Sequence, residues 1–310
     1  MTPGSAAARL KALRIGTRGS PLALWQARTV AGLLERAGHA VELLTIRTAG
    51  DRLQEAPLTE PGTKGLFVKE IEDALLRRDV DLAVHSAKDM SVALPDGLVV
   101  AAVLPREDAR DALVLPRGVA SLADAPSIGT GSVRRSAQLA AVMPGARFVP
   151  IRGNVDTRLR KVDSGDYDAL ILAVAGLKRL GYGDRISSAL PFDVCIPAPG
   201  QGIIAIETRD DDRGTLDALR TLNDTAAAAC FDAERAVVAA LGGGCQLPLG
   251  AIATPAGRTL EMQAIVTSPD GARVVRAGGT GEASDPADLG RRVADELANA
   301  GAIEILKEVR

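Results

Sequence analysis

Apolar runs of strand length alternate with helical patterns through the first two thirds of the chain, the rhythm of βαβ units that feed a mostly parallel sheet. Residues 13–17 read as a strand, Ser20 and Pro21 as the N-cap and first residue of a helix, and Gly38 as its stop before a strand at 41–47. A helix at 66–78 then leads to a strand at 81–85, and 98–103 and 112–115 read as two further strands. The rhythm restarts with a short strand at 127–130, a helix at 133–142, a strand at 147–151, a helix at 155–162 and a strand at 168–173. Two Pro-rich or charged segments, PREDARD (105–111) and IPAPGQG (196–202), read as crossings between two such lobes, with a cleft between them.

After Asn223 the pattern changes to an Ala-rich helix at 224–241, a Gly triplet, strand-like runs near Ala251, Met262 and Val274, and a closing helix from Pro286. This predicts a smaller α+β unit. The expected division is a first domain at 1–105 and 203–223, a second at 106–202 and a third at 224–310. A length of 310 residues fits two or three domains.

The chain is 46% hydrophobic and 25% charged, the balance of a folded protein. Its 37 basic and 39 acidic residues leave a net charge of −2, so no global field draws it to nucleic acid or an anionic membrane. Four Phe, two Tyr and one Trp are few rings for a reader of single strands. Cys195, Cys230 and Cys245 have neither disulfide-framework nor zinc-site spacing, and no apolar run reaches 18 residues. With no secretory signal read at the start, the expected compartment is the cytoplasm.

Arginines sit in Gly/Ser/Thr/Asn turns at the ends of expected strands: TRGS (17–20), GTGSVRRS (129–136) and RGNVDTR (152–158). Ligands of open α/β sheets lie beyond the carboxyl ends of strands, where helix N-termini and guanidinium forks favour anions. Three such turns point to a polyanion, and GTGSVRRS lacks the GK[ST] ending of a nucleotide loop. HSAKDM (85–90) places Lys88 and Asp89 directly after a strand, where one carboxylate among arginines could guide protons or stabilise a cation. In GGGCQLPLG (242–250), glycines make the Cys245 thiol reachable, whereas Cys195 and Cys230 read as packing residues. With only His39 and His85, neither a metal cluster nor a Ser-His-Asp triad can be assembled. His85 reads as packing beside a strand end, and Trp25, three residues after Leu22, as core.

Taken together, RIGTRGSPLALWQAR, TKGLFVKEIEDALL, DLAVHSAKD, GTGSVRRSAQLA, IRGNVDTRLRKVDSGDYDALILAVAGLKRLG, PAPGQG and GGGCQLPLG resemble, in order and spacing, the porphobilinogen deaminase family. The resemblance runs from Arg14 to the last helix. It implies an α/β fold of two periplasmic-binding-protein-like lobes with mixed sheets and a third, α+β domain that carries a cofactor loop. It implies a transferase that joins four porphobilinogen molecules on a dipyrromethane primer, held by a thioether to Cys245, and releases hydroxymethylbilane. Asp89 matches the catalytic aspartate. Arg18, Ser20, Lys88, Arg134, Arg135, Arg152, Arg158, Arg179 and Gln201 match residues that hold the carboxylate arms or line the cleft, and Lys64 and Phe67 match the entrance loop. It also implies a monomer with a small-molecule substrate and no metal. Gly131 stands where many relatives carry Ser, Ser91 where they often carry Pro, and Thr63 where they carry a second Gly, departures that bear on loop detail and affinity. Two other readings, a non-catalytic anion-binding protein and a thiol enzyme using Cys245, differ from the first in lacking porphobilinogen turnover.

Overall fold

The computed structural model describes residues 12–48, 68–242 and 247–309. The first sheet has the order β2-β1-β3-β10-β4 and is built from β1 (Leu13–Thr17), β2 (Val41–Thr45), β3 (Leu82–Ser86), β4 (Leu98–Val103) and β10 (Ile204–Arg209). β1 runs parallel to β2 and β3, whereas β10 is antiparallel to both β3 and β4. The second sheet, β7-β6-β8-β5-β9, contains β5 (Asp111–Val114), β6 (Ser127–Gly129), β7 (Arg147–Val149), β8 (Ala169–Ala173) and β9 (Ser188–Ala189). Its parallel trio is β7-β6-β8, and β5 is the antiparallel insert.

The two orders are the same pattern. In each sheet the antiparallel strand follows directly on a crossing: β5 on residues 105–110, β10 on residues 196–203. Each lobe is therefore completed by chain that has just left the other. The crossings also touch. Glu107 N–H donates to the Gly202 carbonyl at 3.1 Å, and a Cβ on Gly202 would lie 2.3 Å from the Glu107 carbonyl oxygen at a backbone φ of +88°. Only glycine permits that approach in that conformation.

The inner strands of both lobes are largely buried, which explains their continuous apolar runs: β8 reads ALILA, and β10 is buried at all six positions. Helix Pro21–Arg36 starts where expected, with the Ser20 hydroxyl accepting from Ala23 N–H at 3.3 Å. Its buried face is Gln26, Ala27, Val30, Ala31 and Leu34. Trp25 falls one position outside that stripe and is 37% exposed, so the core reading of this residue is corrected: spacing from Leu22 alone did not define the face. β7 ends at Val149 rather than at residue 151, because Pro150 has no N–H for a ladder. The helix expected at 66–78 is described as Lys69–Leu76. Helices Val174–Arg179 and Arg213–Arg220, and strands β9 and β10, are not anticipated by the sequence reading.

The remaining unit is the meander β11 (Leu249–Ala256), β12 (Thr259–Thr267) and β13 (Val274–Glu282), with helices Thr225–Ala240, Pro286–Asn299 and Ala302–Lys307. Its core joins Ala233, Val237, Ala251, Met262, Ala264, Leu289 and Val293. The two longer helices approach closely at Gly290, where a Cβ would lie 2.2 Å from the Ala233 carbonyl oxygen.

Candidate active site

β3 lies inside its sheet and ends in a 3₁₀ turn, Ala87–Asp89. Ala87 and Met90 are buried and pack with Ala227 and Phe231 of the third unit, so the apolar residues of the turn point inward. Lys88 is left half-buried and Asp89 exposed. The Lys88 ammonium donates to Gln201 Oε1 at 3.5 Å. Burial pushes its pKa down to about 8; Arg135 and Arg134 push in the same direction, and Asp89 and Asp111 oppose them.

Across the crossings stands Asp111, fully buried at the start of β5. Its carboxylate receives Arg134 Nη2 at 2.8 Å, Arg135 Nη2 at 2.8 Å, Gln201 Nε2 at 2.9 Å and the Cys195 thiol at 3.4 Å. Burial alone would raise this carboxyl's pKa, but the two guanidinium charges overcome burial and hold it well below the usual range. Arg134 also donates to the Ile196 carbonyl at 2.7 Å and Arg135 to the Ile171 carbonyl at 3.0 Å. These two arginines of GTGSVRRS thus fasten their helix, Val133–Val142, to the crossing and to β8. Asp111 was missed in the sequence; the signal was an acid in PREDARD against twin arginines in SVRRS.

Arg158, in helix Val155–Asp163, donates from Nε to the Gly153 carbonyl at 2.8 Å. Burial first, then the Arg135 charge, lowers its pKa to about 10, and Asp89 pulls the other way. Arg179 donates to the Gly202 carbonyl at 2.6 Å and stacks over the Trp25 ring at 5.8 Å, joining the second lobe to the first. Arg18, just after β1, is half-buried and Arg152 is exposed. Ser20 is the helix cap already described, with its O–H still able to donate. Lys64, Phe67 and Cys245 lie outside the described residues. The other thiols are poor nucleophiles: burial pushes both Cys195 and Cys230 up to about 11.

The Arg135 and Arg134 charges act on Lys88, the Arg135 charge acts on Arg158, and Asp111 is already shared by Arg134 and Arg135. Asp89 is the carboxylate that acts on both Lys88 and Arg158. The junction thus carries an excess of cationic side chains, two of which lose proton affinity through burial. Dipyrromethane, with its acetate and propionate arms, fits that donor set.

Fold and site together define a two-lobed α/β protein with a cation-rich junction and an appended α+β domain. Comparison with known proteins makes the class specific. The model for "Porphobilinogen deaminase, dipyromethane cofactor binding domain" matches residues 13–217, and that for "Porphobilinogen deaminase, C-terminal domain" matches residues 228–299. The porphobilinogen deaminase of Acidithiobacillus ferrooxidans is 50% identical over 302 residues, 96% of this chain and 98% of that protein. That of Moorella thermoacetica is 45% identical over 96% of each. A solved putative methionine-binding lipoprotein from Bacillus subtilis is similar over 68% of this chain and 90% of its own, at 13% identity and a TM-score of 0.43. The chain belongs to the porphobilinogen deaminase family.

Proposed function

We propose that this chain is a transferase of tetrapyrrole biosynthesis that deaminates four porphobilinogen molecules and joins them head to tail into hydroxymethylbilane, with Asp89 as the catalytic carboxylate and Cys245 as the attachment point of the dipyrromethane primer. The reaction follows from family membership across both matched regions. The observation that carries the assignment of residues is the position of Asp89: an exposed carboxylate at the end of β3, electrostatically coupled to Lys88 and Arg158.

Bound dipyrromethane supplies a nucleophilic pyrrole carbon at the free end of a covalently held chain. Lys88, Arg158, Arg18, Arg152 and Arg179 are the side chains assigned to its carboxylate arms and to those of the substrate, with Arg134 and Arg135 stiffening the turn between them. Loss of ammonia from porphobilinogen leaves a delocalised cation and requires a proton on the leaving amine. Asp89, placed beside cations, stabilises the positive charge, and its position at the strand end lets it take up the proton released when the new ring regains aromaticity. Gln201, which bridges Lys88 and Asp111, keeps the lysine in register with the buried hub.

The chemistry of the cysteines favours Cys245 by elimination, since the thiols of Cys195 and Cys230 are buried and titrate high. The division into domains at 1–105 with 203–223, 106–202 and 224–310 is supported by the return of β10 to the first sheet. The protein is proposed to act as a cytoplasmic monomer, and no described helix is long and apolar enough to cross a membrane.

Denatured intact mass with peptide mapping tests the primer: an excess of two deaminated porphobilinogen units on the Cys245 peptide is expected. An adduct on another cysteine, or none after incubation with porphobilinogen, overturns the attachment. Asp89→Asn is expected to retain the primer and lose nearly all turnover, and normal product formation by it removes the catalytic role.

A further inference from the structure

The turn that carries Lys88 and Asp89 is fastened at its exit to the third unit. Residues 90–95 belong to no helix or strand, so no ladder defines their position. Arg235, on helix Thr225–Ala240, donates from Nη1 to the Ser91 carbonyl at 2.9 Å and from Nη2 to the Val92 carbonyl. One planar fork on two successive carbonyls fixes both the place and the direction of that segment. The guanidinium is itself held, 5.2 Å from the centroid of the Phe231 ring one helical turn earlier. Phe231 and Ala227 contact the turn from the same helix, packing with Ala87 and Met90, and Val92 packs against the core of the third unit.

At its entrance the turn is tied into the first lobe. His85 Nε2 lies 3.0 Å from Glu207 Oε2, both side chains being buried, and the Glu207 charge also acts on Arg235. One end of the turn is thus set by β10 and the other by a helix whose last residue, Ala240, lies five positions before Cys245 in the chain.

We propose that Arg235 is a positioning residue for Asp89: by gripping Ser91 and Val92 it sets the catalytic turn relative to the helix that leads to the primer's cysteine. The proposal rests on the reading of Asp89 and Cys245 given above. Arg235 touches no reacting atom. Its loss leaves the primer attached and the lobes intact but lets the carboxylate drift from the ring being deaminated, and misplacement by about 1 Å can cost roughly a hundredfold in rate.

The test uses the primer-loaded enzyme and the variants Arg235→Met, Arg235→Lys and Asp89→Asn. Turnover with porphobilinogen is normalised to bound dipyrromethane measured by intact mass, so that only loaded, folded molecules are counted. Arg235→Met is expected to lower kcat about tenfold or more while KM stays within about twofold, and Arg235→Lys to recover part of kcat because an ammonium can reach one of the two carbonyls. A parental kcat per loaded molecule in Arg235→Met overturns the positioning role, as does a Lys variant no better than Met. Asp89→Asn separates the two claims. Inactive Asp89→Asn beside fully active Arg235→Met sinks the role of Arg235 alone, whereas normal turnover by Asp89→Asn removes the reading beneath it.

Discussion

Glu72 offers a direct test of the electrostatics inside the first lobe. It lies on helix Lys69–Leu76, 6% exposed, and its Oε1 has no hydrogen-bond partner. Burial pushes its carboxyl pKa up from 4.5 to about 7; Glu207 adds to the rise and His85 opposes it. The folded state therefore binds this proton more tightly than the unfolded chain does. The stability it contributes is complete below about pH 4.5 and is lost as pH rises through about 7. At ~1.4 kcal/mol per pH unit the difference is about 3 kcal/mol. Glu72→Gln keeps the neutral shape and cannot ionise. It should exceed the parent by less than about 1 kcal/mol at pH 5 and by up to about 3 kcal/mol at pH 8. Urea unfolding followed by Trp25 fluorescence suits the measurement, because the chain has a single tryptophan and it lies in this lobe. A stability difference that is flat from pH 5 to 8, or that favours the parent at pH 8, refutes the reasoning.

Other outcomes follow from buried groups. Glu234, fully buried, accepts from Arg106 at 2.5 and 3.2 Å, Gly200 N–H at 2.6 Å and Ala253 N–H at 2.8 Å, joining both crossings to the third unit. Glu234→Gln should cost about 3–5 kcal/mol, seen as a lower Tm by calorimetry; an unchanged Tm would show that the joint does not hold the domains. Asp111→Asn leaves Arg134 and Arg135 without their shared counter-charge and should cost a similar amount, about 3–5 kcal/mol. Because the Asp111 pKa is depressed, that contribution is present above its ordinary value of 3.8 and fades only as pH falls below it, so denaturant curves at pH 5 and 8 should show the same loss. Gly290→Ala drives a methyl against the Ala233 carbonyl and the Ala236 methyl and should destabilise the third unit by roughly 1–3 kcal/mol or more, which hydrogen exchange of helix Pro286–Asn299 would report.

Much of the local structure was legible in the chain. The alternation of apolar runs located eight of the ten described strands of the two lobes, all but β9 and β10, and Ser20-Pro21 marked a helix start that the structure bears out to the residue. The failures have separate causes. Trp25, read as core, lies beside the buried stripe, and β7 stops short at Pro150. Strand β10, unread although its return was expected, has a sequence, IAIETR, whose two charged residues hide its full burial; Glu207 pairs with His85 and Arg209 with Asp212. Charge in an apolar run argues against a buried strand until its partner is known.

The candidate site divides in the same way. The strand-end turns bearing Arg18, Lys88, Asp89, Arg134, Arg135, Arg152 and Arg158 were visible from spacing and residue type, because a turn after a strand is a local event. What each cation does was not. Arg134 and Arg135 are occupied by Asp111, 23 and 24 positions earlier, Arg179 reaches Gly202 and Trp25, and Arg235 holds Ser91 and Val92 from more than 140 positions away. By itself the sequence determined most of the elements, the arginine-bearing turns at strand ends and the family. Only the tertiary structure decided which charges neutralise one another, because that pairing depends on distance and burial across two crossings, and neither is a property of neighbours in the chain.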